Sequence, residues 1–206
     1  MTVTKALLLI AFAGYIICWY CDLLLIYTPG GRFQFSYMKD SEKMSKIFEE
    51  MPLKKPLFSM LLGILALVME FCGYLSLYEW MKQFSMVYAV MIMVSAVLFF
   101  IPGTAHHVFC GVVEWFYIRL GRTEKALNVI VEFFKKTSIT MYACYLGILI
   151  FSVSFFVAVV AGHTSLPQWG CIFNFIPLFV ALVLFKTPGA GNLAGAVMFL
   201  GLFLLI

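Results

Sequence analysis

The sequence predicts an all-α, polytopic integral membrane protein: a bundle of six transmembrane helices with two short cytoplasmic interfacial helices. Three observations carry that prediction. Hydrophobic residues make up 64% of the 206 and charged residues only 12%. The charged share is about half the roughly 25% of a soluble domain, and a core of this size cannot hide so much apolar surface. The apolar residues also gather into runs near the ~20 residues that a helix needs to cross about 30 Å of hydrocarbon. Lys and Arg, finally, concentrate in alternate gaps between those runs.

The first span covers about 6–27. Ala11-Phe12-Ala13 within it has the small-x-small form of a signal-peptide cleavage site, but the apolar run continues to Tyr27, so it reads as an uncleaved first helix. In the 28–56 loop, Asp40 or Ser41 can cap a short helix whose Met44, Ile47, Phe48 and Met51 follow i, i+3, i+4, i+7 spacing. The second span is 57–80 and the third 84–109. Continuation of the third towards residue 118 meets Pro102-Gly103, where a kink or break is expected because proline removes a backbone donor and crowds the preceding turn. In the 119–137 loop, Leu127, Ile130, Phe133 and Phe134 make an apolar stripe beside Lys125, Lys135 and Lys136. Both loop helices are expected in the headgroup region, lysines towards anionic lipid, with a lid or docking surface as the alternative. Spans of 138–162, 168–186 and 190–206 complete a single transmembrane domain over 1–206.

Orientation follows from the basic residues. Arg32, Lys39, Lys43, Lys46, Lys54 and Lys55 lie in the first loop; Arg119, Arg122, Lys125, Lys135 and Lys136 lie in the second; Lys186 stands at the last turn on that side. The opposite face has only Lys5 and Lys82. Positive charge stays cytoplasmic, which places both termini outside a cell (inner) membrane. The net charge of +4 therefore sets topology, and no nucleic-acid partner is expected, since no basic stripe interleaves with exposed aromatics. All six cysteines fall in apolar segments, against a secreted disulfide framework.

Function is sought where the apolar pattern is violated. Asp22, Glu70, His106, His107 and Glu114 are ionisable residues inside otherwise apolar runs, each costing roughly 2.5–3.5 kcal/mol at a helix centre on insertion scales. On a continuing helix His107, Cys110 and Glu114 share one face at i, i+3, i+7, with His106 one turn from Cys110. Asp22 comes to a similar depth, and Glu70 is expected to point into the same cavity from deeper.

Carboxylates beside imidazoles suit acid/base work, with Asp22, His106, His107 and Glu70 as catalytic groups and Glu114, Cys110 and Asn174 as additional candidates. They also suit a divalent metal such as zinc on His106, His107 and Asp22, with Cys18 and Cys21 of Cys18-Trp19-Tyr20-Cys21 as alternative ligands. Neighbouring histidines point about 100° apart on a helix, and no standard metal motif is present. Asn174, ahead of Pro177, can satisfy a carbonyl freed by a kink or line a path.

Three roles compete. The first is an intramembrane enzyme acting on a lipid or hydrophobic small molecule, in a cytoplasmic-side polar cavity. The second is a small transporter or proton-coupled carrier, built on an intramembrane relay. The third is a non-catalytic immunity or assembly subunit. Membrane lipids are expected partners throughout, and a chain this small can form a homo-oligomer.

Overall fold

The computed structural model describes residues 2–206. Apart from a minimal hairpin the chain is helical, in the order α1 (Val3–Ile26), β1 (Tyr27–Thr28), β2 (Gly31–Arg32), α2 (Ser41–Phe48), α3 (Lys54–Met81), α4 (Met86–Arg119), α5 (Glu124–Thr137), α6 (Ile139–Val160), α7 (Phe175–Leu184) and α8 (Ala190–Leu205). Short 3-10 turns cover Phe35–Lys39 and Gln168–Ile172. The hairpin is antiparallel, pairing Tyr27 with Arg32 and Thr28 with Gly31. Four helical stretches are long and apolar enough to cross a membrane: Val3–Ile26, Lys54–Met81, Met86–Arg119 and Glu124–Val160.

The sequence expectation is corrected at two places. The third helix does not break at Pro102-Gly103; α4 runs through it for 34 residues. A membrane solvates no open backbone, so one missing N–H is cheaper than a broken helix. Thr104 Oγ1 also donates to the Phe100 carbonyl (2.7 Å) at this point. The expected 168–186 span is not one helix. Its first part is the 3-10 turn after Pro167, and α7 proper has only 10 residues, about 15 Å of rise. Asn174 precedes α7 and donates from Nδ2 to the Ser152 carbonyl of α6 (2.7 Å), so its amide does satisfy a carbonyl, but one on a neighbouring helix.

The bundle closes through small residues, as expected where lipid supplies no hydrophobic drive between helices. A Cβ on Gly14 of α1 would sit 2.7 Å from the Ala66 carbonyl oxygen of α3. One on Gly147 of α6 would sit 2.6 Å from the Phe99 amide nitrogen of α4. The main core lies among α1, α3, α4, α6 and α8, and α7 rests chiefly on α8, touching α6 little.

A second core forms at the basic end. Met44, Ile47, Phe48 and Met51 pack with Val113, Tyr117 and Ile118 of α4 and with Ala126, Leu127 and Ile130 of α5. The Asp40 side chain accepts from the Lys43 amide to start α2 (3.1 Å). Arg122 clamps the far end of α2: Nε donates to the Phe48 carbonyl (2.7 Å) and Nη2 to the Met51 carbonyl (3.2 Å). The apolar stripes of α2 and α5 thus face the tail of α4 and each other.

Candidate functional site

Beneath that second core lies a cavity of about 1140 Å³. Cys18, Leu67, Phe99 and Phe175 make its floor, and Asp22, His106, His107, Cys110, Glu114 and Asn192 supply its polar groups. Phe33, Phe35, Phe48 and Phe134 roof it. The roof rings touch in sequence, Phe48 on Phe33, Phe33 on Phe35 and Phe35 stacked on Phe134, at centroid separations of 5.5–5.7 Å. On the side where α6 and α7 part, the wall residues Tyr145, Leu149, Val180 and Val183 are each about half exposed. The cavity therefore opens laterally, at the level of apolar helix surface.

Asp22 of α1 is held from two sides. Its Oδ2 accepts from Asn192 Nδ2 at the start of α8 (2.8 Å), and its Oδ1 lies 3.7 Å from His107 Nδ1. His107 Nε2 lies 3.1 Å from the Ser59 carbonyl of α3. A carbonyl only accepts, so Nε2 carries the proton and Nδ1 is the nitrogen turned to Asp22. At 3.7 Å the carboxyl and the imidazole face each other just beyond hydrogen-bond distance. Asp22 is 32% exposed and His107 9%, so the carboxyl is the more accessible member of the pair.

Gly63 makes this arrangement possible. A Cβ there would overlap the His107 imidazole, so only glycine lets the ring reach the α3 backbone. Ser59 Oγ in turn donates to the Cys21 carbonyl (2.9 Å), fastening α3 to α1 one residue before Asp22.

His106 turns the other way. Thr140 Oγ1 donates to the Thr137 carbonyl (2.8 Å) and so receives from His106 Nδ1 (3.3 Å). Nε2 is left unprotonated, 3.7 Å from Cys110 Sγ. The adjacent histidines serve separate partners because α4 rotates about 100° per residue.

Of the residues expected in the site, Asp22, His106, His107, Cys110 and Glu114 line one cavity. Glu70 does not: it is fully buried beyond Leu67, against the close approach of α1 at Gly14, and neither carboxyl oxygen has a hydrogen-bond partner. Asn174 is a helix tie outside the lining. Among the described residues no three His, Cys, Asp or Glu side chains converge to hold a metal ion. The set His106, His107 and Asp22 fails because His106 faces α6, and Cys21 lies off the lining while Cys18 belongs to the floor. Asn192, Gly63, Ser59 and Thr140 escaped sequence reasoning. Only Asn192, an amide in an apolar final run, carried a readable signal.

The floor is closed. Below it the Tyr15 and Tyr74 hydroxyls pair at 3.2 Å. Tyr74 is ringed by Phe99, Phe100, Phe151 and Phe199 at centroid separations of 4.8–5.9 Å.

Fold and site together define a membrane-embedded, all-α protein with a roofed, laterally open cavity centred on an Asp–His pair. The chain belongs to the family described as "Family of unknown function (DUF6796)", whose profile matches residues 1–206. No curated protein and no solved structure matches it.

Proposed function

We propose that this protein is an intramembrane enzyme that moves a proton on a lipid or other hydrophobic small molecule. The observation that carries the reading is the Asp22–His107 pair, a carboxyl and an imidazole facing each other inside a cavity whose side wall opens between α6 and α7. A hydrophobic substrate enters there without crossing water. Asp22, the more accessible of the two, takes or gives the proton at the substrate. His107 takes up the complementary charge, its ring oriented by the Ser59 carbonyl.

The volume slightly exceeds the usual 300–1,000 Å³ range for small-molecule pockets, which accommodates an acylated ligand. Transport is disfavoured by the aromatic layer around Tyr74, which interrupts any polar path towards Glu79 and the far face. In this reading α7 and α8 form the fifth and sixth crossings, both termini lie outside, and the cavity sits in the cytoplasmic half beneath a lid of α2 and α5.

The test is solvent-proton exchange. Membranes containing the protein are incubated in deuterated water, and extracted lipids are searched by mass spectrometry for deuterium at carbon. Incorporation into one lipid class is expected, falling by about 10²–10⁴-fold in Asp22→Asn, the usual contribution of a positioned acid/base. Equal incorporation in wild type and variant would overturn the reading.

A further inference from the structure

We infer that the cavity recognises an amphiphile with a zwitterionic headgroup, an ammonium held by Glu114 and a phosphate at Arg32 and Lys186. The inference rests on the proposed lipid site and names its substrate class. Glu114 is only 7% exposed, lines the cavity, and has no hydrogen-bond partner for Oε2. A buried carboxyl oxygen without a donor is costly, and a cation or donor brought by a ligand removes the cost.

The protein places no donor within hydrogen-bond reach of Oε2. The Lys55 ammonium donates to the Tyr27 carbonyl and makes no contact with Glu114. Arg122 is spent on the Phe48 and Met51 carbonyls, and the basic Arg119 is no part of the lining. Asp22, the other carboxyl of the cavity, is already matched by His107 and Asn192. Glu114 is thus the cavity acid without a direct partner.

Arg32 of the hairpin and Lys186 after α7 are the unmatched bases. Both border the same cavity, and among the described residues neither takes part in a salt bridge. A ligand bearing both charges complements both ends, as an aminophospholipid does: guanidinium and ammonium for phosphate, carboxylate for the amine. Glu114 stands seven residues from His107 on one face of α4, about 10 Å along the axis. The headgroup under the roof therefore leaves the glycerol and first ester region beside the Asp22–His107 pair. The acyl chains leave through the gap between α6 and α7.

Native mass spectrometry of detergent-purified protein, after exchange with defined vesicles, tests this. The vesicles contain equal phosphatidylethanolamine, phosphatidylglycerol and phosphatidylcholine. Preferential retention of phosphatidylethanolamine is expected, reduced at least tenfold in Glu114→Gln. Arg32→Ala/Lys186→Ala, two exposed positions whose loss leaves the core intact, should cut it similarly. Preferential retention of phosphatidylglycerol, equal retention of all three, or retention unchanged in the double variant overturns the assignment. Should Glu114→Gln not fold, the double variant decides alone. The deuterium-exchange assay on the wild type separates the two claims: phosphatidylethanolamine retained without any exchange chemistry sinks the enzyme and spares the headgroup site, whereas exchange on another lipid class does the reverse.

Discussion

His107 reaches the backbone of α3 only because residue 63 has no side chain. Replacing Gly63 with alanine puts a methyl group where the imidazole lies, so the ring must leave the Ser59 carbonyl and Asp22 loses its partner. Gly63→Ala should lower the exchange rate as far as His107→Ala does, with helical content by circular dichroism unchanged, since alanine favours a helix over glycine by about 1 kcal/mol. A variant with normal rate would show that the imidazole is dispensable. The sequence marks Asp22 and His107 because each violates an apolar run. It cannot mark Gly63, one of 15 glycines, because its purpose is defined by a ring arriving from another helix. Nor can it exclude Glu70 from the cavity. Depth in the membrane is legible from a span's ends, but the seven residues from Gly63 to Glu70 carry the carboxyl about 10 Å further on, past Leu67, and only packing shows where the floor falls.

Among the elements, the roof is the part whose stability is separable from the bundle. Arg122 joins it to the end of α4, using both nitrogens on carbonyls at the C-terminal end of α2, where backbone acceptors are otherwise free. Arg122→Ala should cost about 2–3 kcal/mol, the scale of hydrogen bonds from a charged donor. The loss should be local: faster amide exchange over residues 41–53, with the midpoint of global unfolding in detergent little changed. Uniform loss of protection through α3 and α6 would refute a separable roof. The two loop helices themselves were legible, caps and apolar stripes included, because 3.6-residue periodicity survives in a polar background. What those stripes pack against was not, since lipid and the flank of α4 ask for the same residues. The fate of Pro102 was obscured likewise: proline breaks helices in water, where a released carbonyl finds a partner at once, and is carried through in apolar surroundings.

For the whole molecule, the distribution of charge predicts how the bundle sits. With twelve basic residues on the roofed side against Lys5 and Lys82, a tag on either terminus should be accessible to protease from outside intact cells. A cysteine placed at Lys43 should react with an impermeant maleimide only after permeabilisation, in a background lacking the six native thiols. A protected C-terminal tag would refute this orientation, and a cysteine at Lys186 that fails to label under the conditions that label Lys43 would mean that α7 and α8 re-enter the membrane as a hairpin instead of crossing it. The shortness of α7 makes that comparison informative, because composition alone does not distinguish a crossing from a re-entrant turn.

The aromatic layer around Tyr74 carries one more implication. Cells drive ATP synthesis and uptake with a proton gradient across such membranes, and any continuous wire of titratable groups through a small bundle would discharge it. In the proposed enzyme, the plug of rings below the Asp22–His107 pair would let protons be traded with one compartment alone. On that proposal the protein would not act as an uncoupler, and lipid exchange should be unchanged when the far side alone is acidified.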